Sequence, residues 1–271
     1  MPELPEVETT RRGIAAHVIG RRVTRVCVRQ AALRWPVAPD LPETLAGQVI
    51  RQVERRGKYL LLGFDHGTLL VHLGMSGNLR LVPGTLAPMT HDHVDWLLDD
   101  GQALRLNDPR RFGAVLWTAG PVDQHPLLKD LGPEPLSKVF SAVYLHARAR
   151  NRHMAIKSLL MDANVVVGVG NIYANEALFM AGIHPARAAG HIALARYERL
   201  VGAVRQVLNE AIAAGGTTLR DFVGSDGRPG YFAQQLRVYG RAQAPCRACD
   251  SPIRHLRQGQ RSSYFCPRCQ R

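Results

Sequence analysis

Over the first 120 residues, short runs of alternating polar and apolar positions recur between turn signals. From Arg22 to Arg29 the alternation has the two-residue period of a half-buried strand. Strand-like runs follow at Lys58–Phe64, Thr68–Leu73, His93–Leu98, Ala103–Leu106 and Ala114–Trp117. Clusters such as Asp65-His66-Gly67 and Asp99-Asp100-Gly101 separate them. Short strands at this spacing predict a β-sandwich or flattened barrel. Ahead of them, Pro2-Glu3-Leu4-Pro5-Glu6-Val7-Glu8-Thr9-Thr10-Arg11-Arg12 puts acidic residues first, basic residues after, and proline in the opening turn. That order predicts a helix start.

The pattern changes after Gly120. Pro121, Pro126, Pro133 and Pro135 mark a connecting stretch. Beyond it, Val139–Arg150, Met154–Ala163, Ile172–Ala181, Ala193–Ala214 and Leu219–Val223 carry helical patterns. Thr217–Gly230 is rich in Gly, Ser, Asp and Thr and predicts a mobile loop. Arg237 onward leads into a cysteine-rich end. There is no internal repeat and no low-complexity segment.

Length and composition narrow the class. A chain of 271 residues suggests two domains and a small appendage. With 46% hydrophobic and 21% charged residues, it is not wholly disordered. No apolar run reaches the roughly 18 residues of a membrane helix, and the acidic N-terminus lacks the order of a secretory signal. The expectation is a soluble, cytoplasmic protein. The net charge of +13 and a pI near 10.2 point to a polyanionic partner, nucleic acid first. An anionic membrane surface is the alternative, but neither a long basic amphipathic helix nor a lipidation motif supports it. A basic surface without function also remains open. Only four of the 35 basic residues are lysines, and Lys58 is the only one in the first 128 positions. Lysine can lose its proton where arginine cannot, so Lys58 is a candidate for proton chemistry.

The cysteines sort by spacing. Cys246-x-x-Cys249, sixteen residues, then Cys266-x-x-Cys269 is the pattern of two knuckles closing a tetrahedral zinc site. Four thiolates leave no open position, so the metal is expected to be structural. Paired disulfides are the alternative reading. Cys27 is expected to pack as a small hydrophobe.

Other motifs carry weaker signals. Gly168-Val169-Gly170-Asn171-Ile172-Tyr173 superficially matches a dinucleotide fingerprint, but Tyr173 stands where a small residue belongs. What remains is a glycine-rich turn opening a helix, where Asn171 contacts a phosphate, caps the helix, or does both. His91-Asp92-His93, with Asp95 on the same face of a strand, allows a metal; a histidine donating to phosphate is the favoured reading. His72-Leu73-Gly74-Met75-Ser76-Gly77 and Asn107-Asp108-Pro109-Arg110-Arg111-Phe112-Gly113 place apolar side chains on loops. Met75 and Phe112 either wedge between base pairs or plug a core. Removal of Met1 leaves Pro2 as a secondary amine, whose pKa near 8 the helix start lowers. Such an amine is nucleophilic toward an aldehydic carbon, and Glu3 beside it can move protons.

Taken together, these segments resemble the bacterial formamidopyrimidine-DNA glycosylase family. The resemblance is carried by the opening Pro-Glu-Leu-Pro-Glu-Val-Glu-Thr and by Arg56-Gly57-Lys58-Tyr59-Leu60. The loops of His72 and Asp108, Gly168–Ala174, and Cys266-Pro267-Arg268-Cys269-Gln270 complete it. It spans essentially the whole chain, with Asp250 standing where glycine is expected. It implies an α+β multidomain fold: an N-terminal β-sandwich with flanking helices (1–131), a helix–two-turn–helix domain (132–237) and a C-terminal zinc-finger β-hairpin (238–271). It implies a monomeric DNA-repair enzyme, both glycosylase and abasic-site lyase, acting on double-stranded DNA with oxidised purines and holding one zinc ion on Cys246, Cys249, Cys266 and Cys269. Pro2 then matches the nucleophile, Glu3 the acid that assists sugar-ring opening, Lys58 the residue assisting β-elimination, and Arg261 the phosphate-gripping arginine linked to δ-elimination. His72, His91, Arg110, Arg152 and Asn171 match DNA contacts. Met75, Arg110 and Phe112 match the trio that fills the gap left by an extruded base, and Thr217–Tyr239 the loop that closes over it. Lys157 is either a phosphate contact or a solvated helix residue. The competing readings are the related endonuclease VIII, which prefers oxidised pyrimidines, and a zinc-ribbon DNA-binding protein without catalysis, with a phospholipid-surface protein behind them.

Overall fold

The computed structural model describes residues 2–217 and 232–271. The expected helix over Leu219–Val223, and all of the expected loop over Thr217–Gly230 except Thr217 itself, lie outside the described residues. The chain forms two compact units, residues 1–129 with 212–233 and residues 130–211 with 234–271.

The first unit opens with helix α1 (Leu4–Val18). Leu4, Val7, Ile14 and Val18 repeat at helical spacing and are buried as one stripe. Strand β1 (Val23–Val28), the short helix α2 (Leu41–Leu45) and strands β2 (Gln52–Arg56), β3 (Tyr59–Phe64) and β4 (Gly67–His72) follow. They are succeeded by β5 (Asn78–Pro83), β6 (Asp92–Leu98), β7 (Gln102–Asn107) and β8 (Ala114–Thr118). Two antiparallel four-stranded sheets result, ordered β1-β6-β7-β5 and β2-β3-β4-β8. Val26, Trp96 and Leu104 from the first sheet share one core with Leu60, Leu69 and Val115 from the second and with Val7, Ile14 and Val18 of α1. Six strands match the alternating runs. The other two are β2, whose only apolar residue is Val53, and β5, whose alternating Leu79 and Leu81 the expected runs leave out.

In the second unit, helix α3 (Ala142–Ala149) begins later than its pattern predicts, because Ser141 caps it by accepting the Tyr144 N–H at 3.2 Å. Helix α4 (Ile156–Leu160) is half its expected length. Ala155 is extended and bridges to Ala188, which starts the helix only at Ile156. Helices α5 (Asn171–Met180) and α6 (Leu194–Ala213) match their patterns. The chain ends in a hairpin of β9 (Arg254–Gln258) and β10 (Arg261–Phe265). No helix among the described residues is long and apolar enough to cross a membrane.

The flank of α1 is fixed by charge. The Glu8 carboxylate accepts from Arg11 at 2.9 and 3.0 Å, from Arg12 at 2.8 Å and from Arg55 of β2 at 3.2 Å. Burial pushes its pKa up, but these guanidinium groups outweigh it and hold the carboxyl at about 2. A depressed carboxylate contributes its full stability above its unfolded value and loses it as pH falls toward 2. Glu8→Gln is therefore expected to cost on the order of 2 kcal/mol at pH 7. The difference from wild type should shrink steadily below pH 4 in thermal melts taken across that range; a pH-independent difference would contradict the assignment.

Candidate active site and metal centre

Pro2 and Glu3 lie buried at the start of α1. Glu6, one turn on, accepts the Glu3 N–H at 2.8 Å, as in a capping box. Its second oxygen accepts the N–H of Thr217 at 2.8 Å. A single buried carboxylate thus fixes both the N-terminal turn and the chain at Thr217. The sequence carries half of this signal, in the Glu3/Glu6 spacing. The long-range half, at 211 residues' separation, has no local trace.

Lys58 sits in the two-residue turn between β2 and β3, where Arg56 pairs with Tyr59. Gly57 supplies the positive φ of 57° that the first position of such a turn demands. Tyr59 in turn pairs with His72 at the end of β4, and their rings are 4.9 Å apart. Burial first, then the charges of Lys58 and Arg34, lowers the His72 pKa to about 4. The ring is therefore neutral at pH 7. Its Nδ1 accepts the Gly74 N–H at 3.0 Å, so the proton is on Nε2, which is a donor.

The loops after His72 and after Asn107 interlock. A Cβ on Gly74 would stand 2.4 Å from the Phe112 carbonyl carbon, so only glycine lets the two main chains touch. Met75 and Phe112 are 36% and 43% exposed, which excludes the core-plug alternative for both. The Arg110 guanidinium lies 4.9 Å over the Phe112 ring.

His91 is exposed and left-handed, with φ of 73°, just before β6. The metal alternative for His91, Asp92, His93 and Asp95 fails on their partners. Asp95 is held by Arg29 and, at 2.8 Å twice, by Arg105, which is only 1% exposed. Asp92 is held by Arg80 and Asn107 at 3.0 and 2.9 Å. Burial raises the Asp95 pKa, but hydrogen bonds from Arg29 and Arg105 lower it further, so it is a committed anion of the sheet.

In the second unit, Asn171 is the first residue of α5, and Gly170 rather than Asn171 occupies the cap position. The Asn171 Oδ1 is buried without a hydrogen-bond partner. Arg152 is half-buried, with its guanidinium 3.7 Å from the Met154 sulfur. Arg261 is exposed at the start of β10. Three buried side chains fix this end of the chain. Asn175 accepts the Tyr264 N–H at 2.7 Å. Glu176, wholly buried, accepts the N–H groups of Arg237, Val238 and Tyr239 at 2.7–2.9 Å. Lys157 is 2% exposed and donates to the Ser262 carbonyl and the Ser263 hydroxyl, both at 2.7 Å. Neither a phosphate contact nor a solvated role fits it.

The four cysteine sulfurs lie within 4.8 Å of one another, with Cys246–Cys269, Cys249–Cys266 and Cys249–Cys269 at 3.9, 3.4 and 3.5 Å. A tetrahedral zinc with bonds of about 2.3 Å places its sulfurs about 3.8 Å apart, so the residues fit that ion. Within the knuckles, the Ala248 and Cys269 N–H groups point at Cys246 and Cys266 sulfurs.

The sequence matches three family models in succession: formamidopyrimidine-DNA glycosylase N-terminal domain over 1–115, formamidopyrimidine-DNA glycosylase H2TH domain over 131–223, and zinc finger found in FPG and IleRS over 244–271. It is 61% identical to the formamidopyrimidine-DNA glycosylase of Methylococcus capsulatus, over all of both chains. Its fold is similar to that of the Thermus thermophilus MutM (FPG) protein, with a TM-score of 0.89 and 39% identity over 99% of this chain and 98% of that one. A Lactococcus lactis FPG mutant in complex with a Fapy-dG containing DNA matches with a TM-score of 0.92 and 31% identity over all of both chains.

A structural zinc contributes on the order of 10 kcal/mol to folding a small module. Cys249→Ser, or chelation of the metal, is expected to expose the β10 amides to hydrogen exchange while leaving the first unit protected. A metal-free hairpin with unchanged exchange would show that Asn175 and Lys157 suffice to hold it.

Proposed function

The chain belongs to the formamidopyrimidine-DNA glycosylase family, a DNA glycosylase of DNA repair, and from that premise we propose that it excises oxidised purines, 8-oxoguanine and formamidopyrimidines, from duplex DNA and then cleaves the strand as a lyase. The observation that carries the proposal is the N-terminal turn, where an amine-bearing and an acid-bearing residue, Pro2 and Glu3, are adjacent, buried and fixed by Glu6.

The chemistry follows from these groups. With Met1 removed, the Pro2 nitrogen gives its lone pair to C1′ of the damaged nucleoside. The bond from C1′ to the base breaks, and the base leaves with the electron pair and takes up a proton. Glu3 then supplies a proton to the ring oxygen O4′ as its bond to C1′ opens, leaving an iminium between C1′ and Pro2. The iminium draws electrons from C2′, whose proton is lost as the 3′ phosphate departs. Lys58 assists this β-elimination, and Arg261 holds the phosphate for the second, δ-elimination.

The remaining assignments divide by unit. His72, neutral and donating through Nε2, and His91 contact phosphate from the sandwich domain (1–131). Arg152 and Asn171 do so from the helical domain (132–237), where the start of α5 favours an anion. The zinc ion supplies no chemistry to the reaction; Cys246, Cys249, Cys266 and Cys269 would hold it to fix the hairpin that carries Arg261 (238–271). Met75, Arg110 and Phe112 occupy the gap left by the extruded base. The capping loop assigned to Thr217–Tyr239 falls largely outside the described residues.

Borohydride reduction during reaction should cross-link lesion DNA to Pro2. A peptide map placing the adduct on Lys58 would overturn the assignment, and no adduct at all would favour a non-catalytic DNA-binding protein. Glu3→Gln should abolish base excision while lesion binding survives. Arg110 reads the opposite base: a guanidinium only donates, which suits the O2 and N3 acceptors of cytosine and leaves the N6 donor of adenine unmet. Arg110→Ala should therefore remove roughly 1–3 kcal/mol of preference for lesions opposite cytosine over adenine. An unchanged ratio of excision rates would mean that Arg110 only grips phosphate.

A further inference from the structure

Asp108 is wholly buried, and nothing in the reaction sequence above uses it. Its side chain spans two loops. Oδ1 accepts the Ser76 hydroxyl at 3.1 Å and Oδ2 accepts the Gly113 N–H at 2.7 Å. Its main chain reaches a third segment. The Asp108 N–H donates to the His91 carbonyl at 3.0 Å, and the Asp108 carbonyl accepts from His93 Nε2 at 2.8 Å. Ser76 is the neighbour of Met75, and Gly113 is the neighbour of Phe112. One residue therefore gathers the segments that carry Met75, Arg110, Phe112 and His91.

We propose that Asp108 is a positioning residue that locks the Met75 and Phe112 loops into one rigid wedge and sets the depth and register at which Arg110 meets the unpaired base. The proposal rests on the reading of Met75, Arg110 and Phe112 as the gap-filling trio. The physical reason is the exposure of those side chains. Two apolar groups at 36% and 43% exposure lie outside any core, and the loops bearing them meet main chain to main chain at Gly74. Without the carboxylate, the buried Gly113 N–H and Ser76 hydroxyl lose their acceptor, and each loop relaxes independently. A displacement of about 1 Å in a positioning element costs on the order of a hundredfold in rate. Asparagine keeps an acceptor for the Gly113 N–H and offers an amide N–H to the Ser76 oxygen, so it preserves the lock without the charge.

Two measurements on the zinc-loaded full chain test this. Hydrogen exchange of the DNA-free protein reads the lock itself. Asp108→Ala should speed exchange over 72–77 and 108–113 together by on the order of tenfold or more, with the interiors of β3 and β4 unchanged. Single-turnover excision of an oxidised purine opposite cytosine and opposite adenine reads its use. Asp108→Ala should lower the rate opposite cytosine by on the order of tenfold and pull the cytosine-to-adenine ratio toward one. Asp108→Asn should restore both readouts to within about threefold. Should Asp108→Ala fail to fold, Ser76→Ala carries the test, loosening 72–77 and lowering the same ratio. Unchanged exchange overturns the lock. Altered exchange with an equal rate loss opposite both bases, or a loss that asparagine does not restore, overturns the positioning role. A wild-type chain that excises nothing overturns the functional reading instead, and the exchange data still decide the lock.

Discussion

Three buried carboxylates that accept main-chain N–H groups set the geometry on which the rest depends. Glu6 takes the N–H groups of Glu3 and Thr217, Asp108 takes that of Gly113, and Glu176 takes those of Arg237, Val238 and Tyr239. Each accepts N–H groups from stretches of chain outside the helices and strands. A loop open to solvent has no ladder to satisfy its amides and no core to fix its path. An anionic acceptor solves both problems, because hydrogen bonds to charge are about twice as strong as neutral ones. Burial raises the pKa of Glu176, and its three N–H donors work against that rise.

The same logic separates what the sequence reveals from what it conceals. Strands inside the sheets, such as β4 and β7, have apolar runs and were legible, as were α5 and α6. The zinc site was legible because its ligands lie at two short, fixed spacings that chemistry demands. Pro2, Glu3 and Lys58 are candidates partly by composition and partly by resemblance to a family, and they remain proposals. The carboxylate anchors were not, because their partners are distant in the chain and belong to the backbone, which has no residue signature. Lys157 shows the converse error. A lysine on a short helix in a basic protein suggests solvent or phosphate, yet its ammonium is consumed by Ser262 and Ser263. Glu176 sits among Ile172, Tyr173, Ala177 and Leu178, all buried, and an acid placed on such a face was the one available hint.

The +13 charge draws the eye to arginine, but much of that arginine is structural. Arg105 and Arg29 are spent on Asp95, Arg11, Arg12 and Arg55 on Glu8, and Arg205 on the carbonyls of Ser137 and Phe140. Guanidinium suits these places because it stays charged when buried and satisfies several acceptors at once. The residues assigned to proton handling are of other kinds. Lys58 and His72 stand at one end of β3 and β4, and the positive charge of the first helps keep the second neutral. A neutral imidazole still donates one hydrogen bond to an anion through its Nε2.

The two units also differ in how they make a small exposed structure rigid. The sandwich has a continuous core beneath its loops, so one carboxylate at Asp108 is enough to tie them to it. The apolar cluster beside the β9–β10 hairpin is small, with Val238 and Ile253 buried against Cys246 and Cys266, while Phe265 of β10 packs against His184. A core of that size stabilises little, on the order of a few kcal/mol before the entropy of ordering the strands is counted. Hydrogen bonds from Tyr264 N–H to Asn175 and from Lys157 to Ser262 and Ser263 orient the hairpin but cannot supply the missing cohesion, since each nets only about 1–3 kcal/mol. A four-thiolate zinc site supplies cohesion of the needed order at a single point. Metal and carboxylate are therefore alternative answers to one problem, chosen by how much core lies underneath.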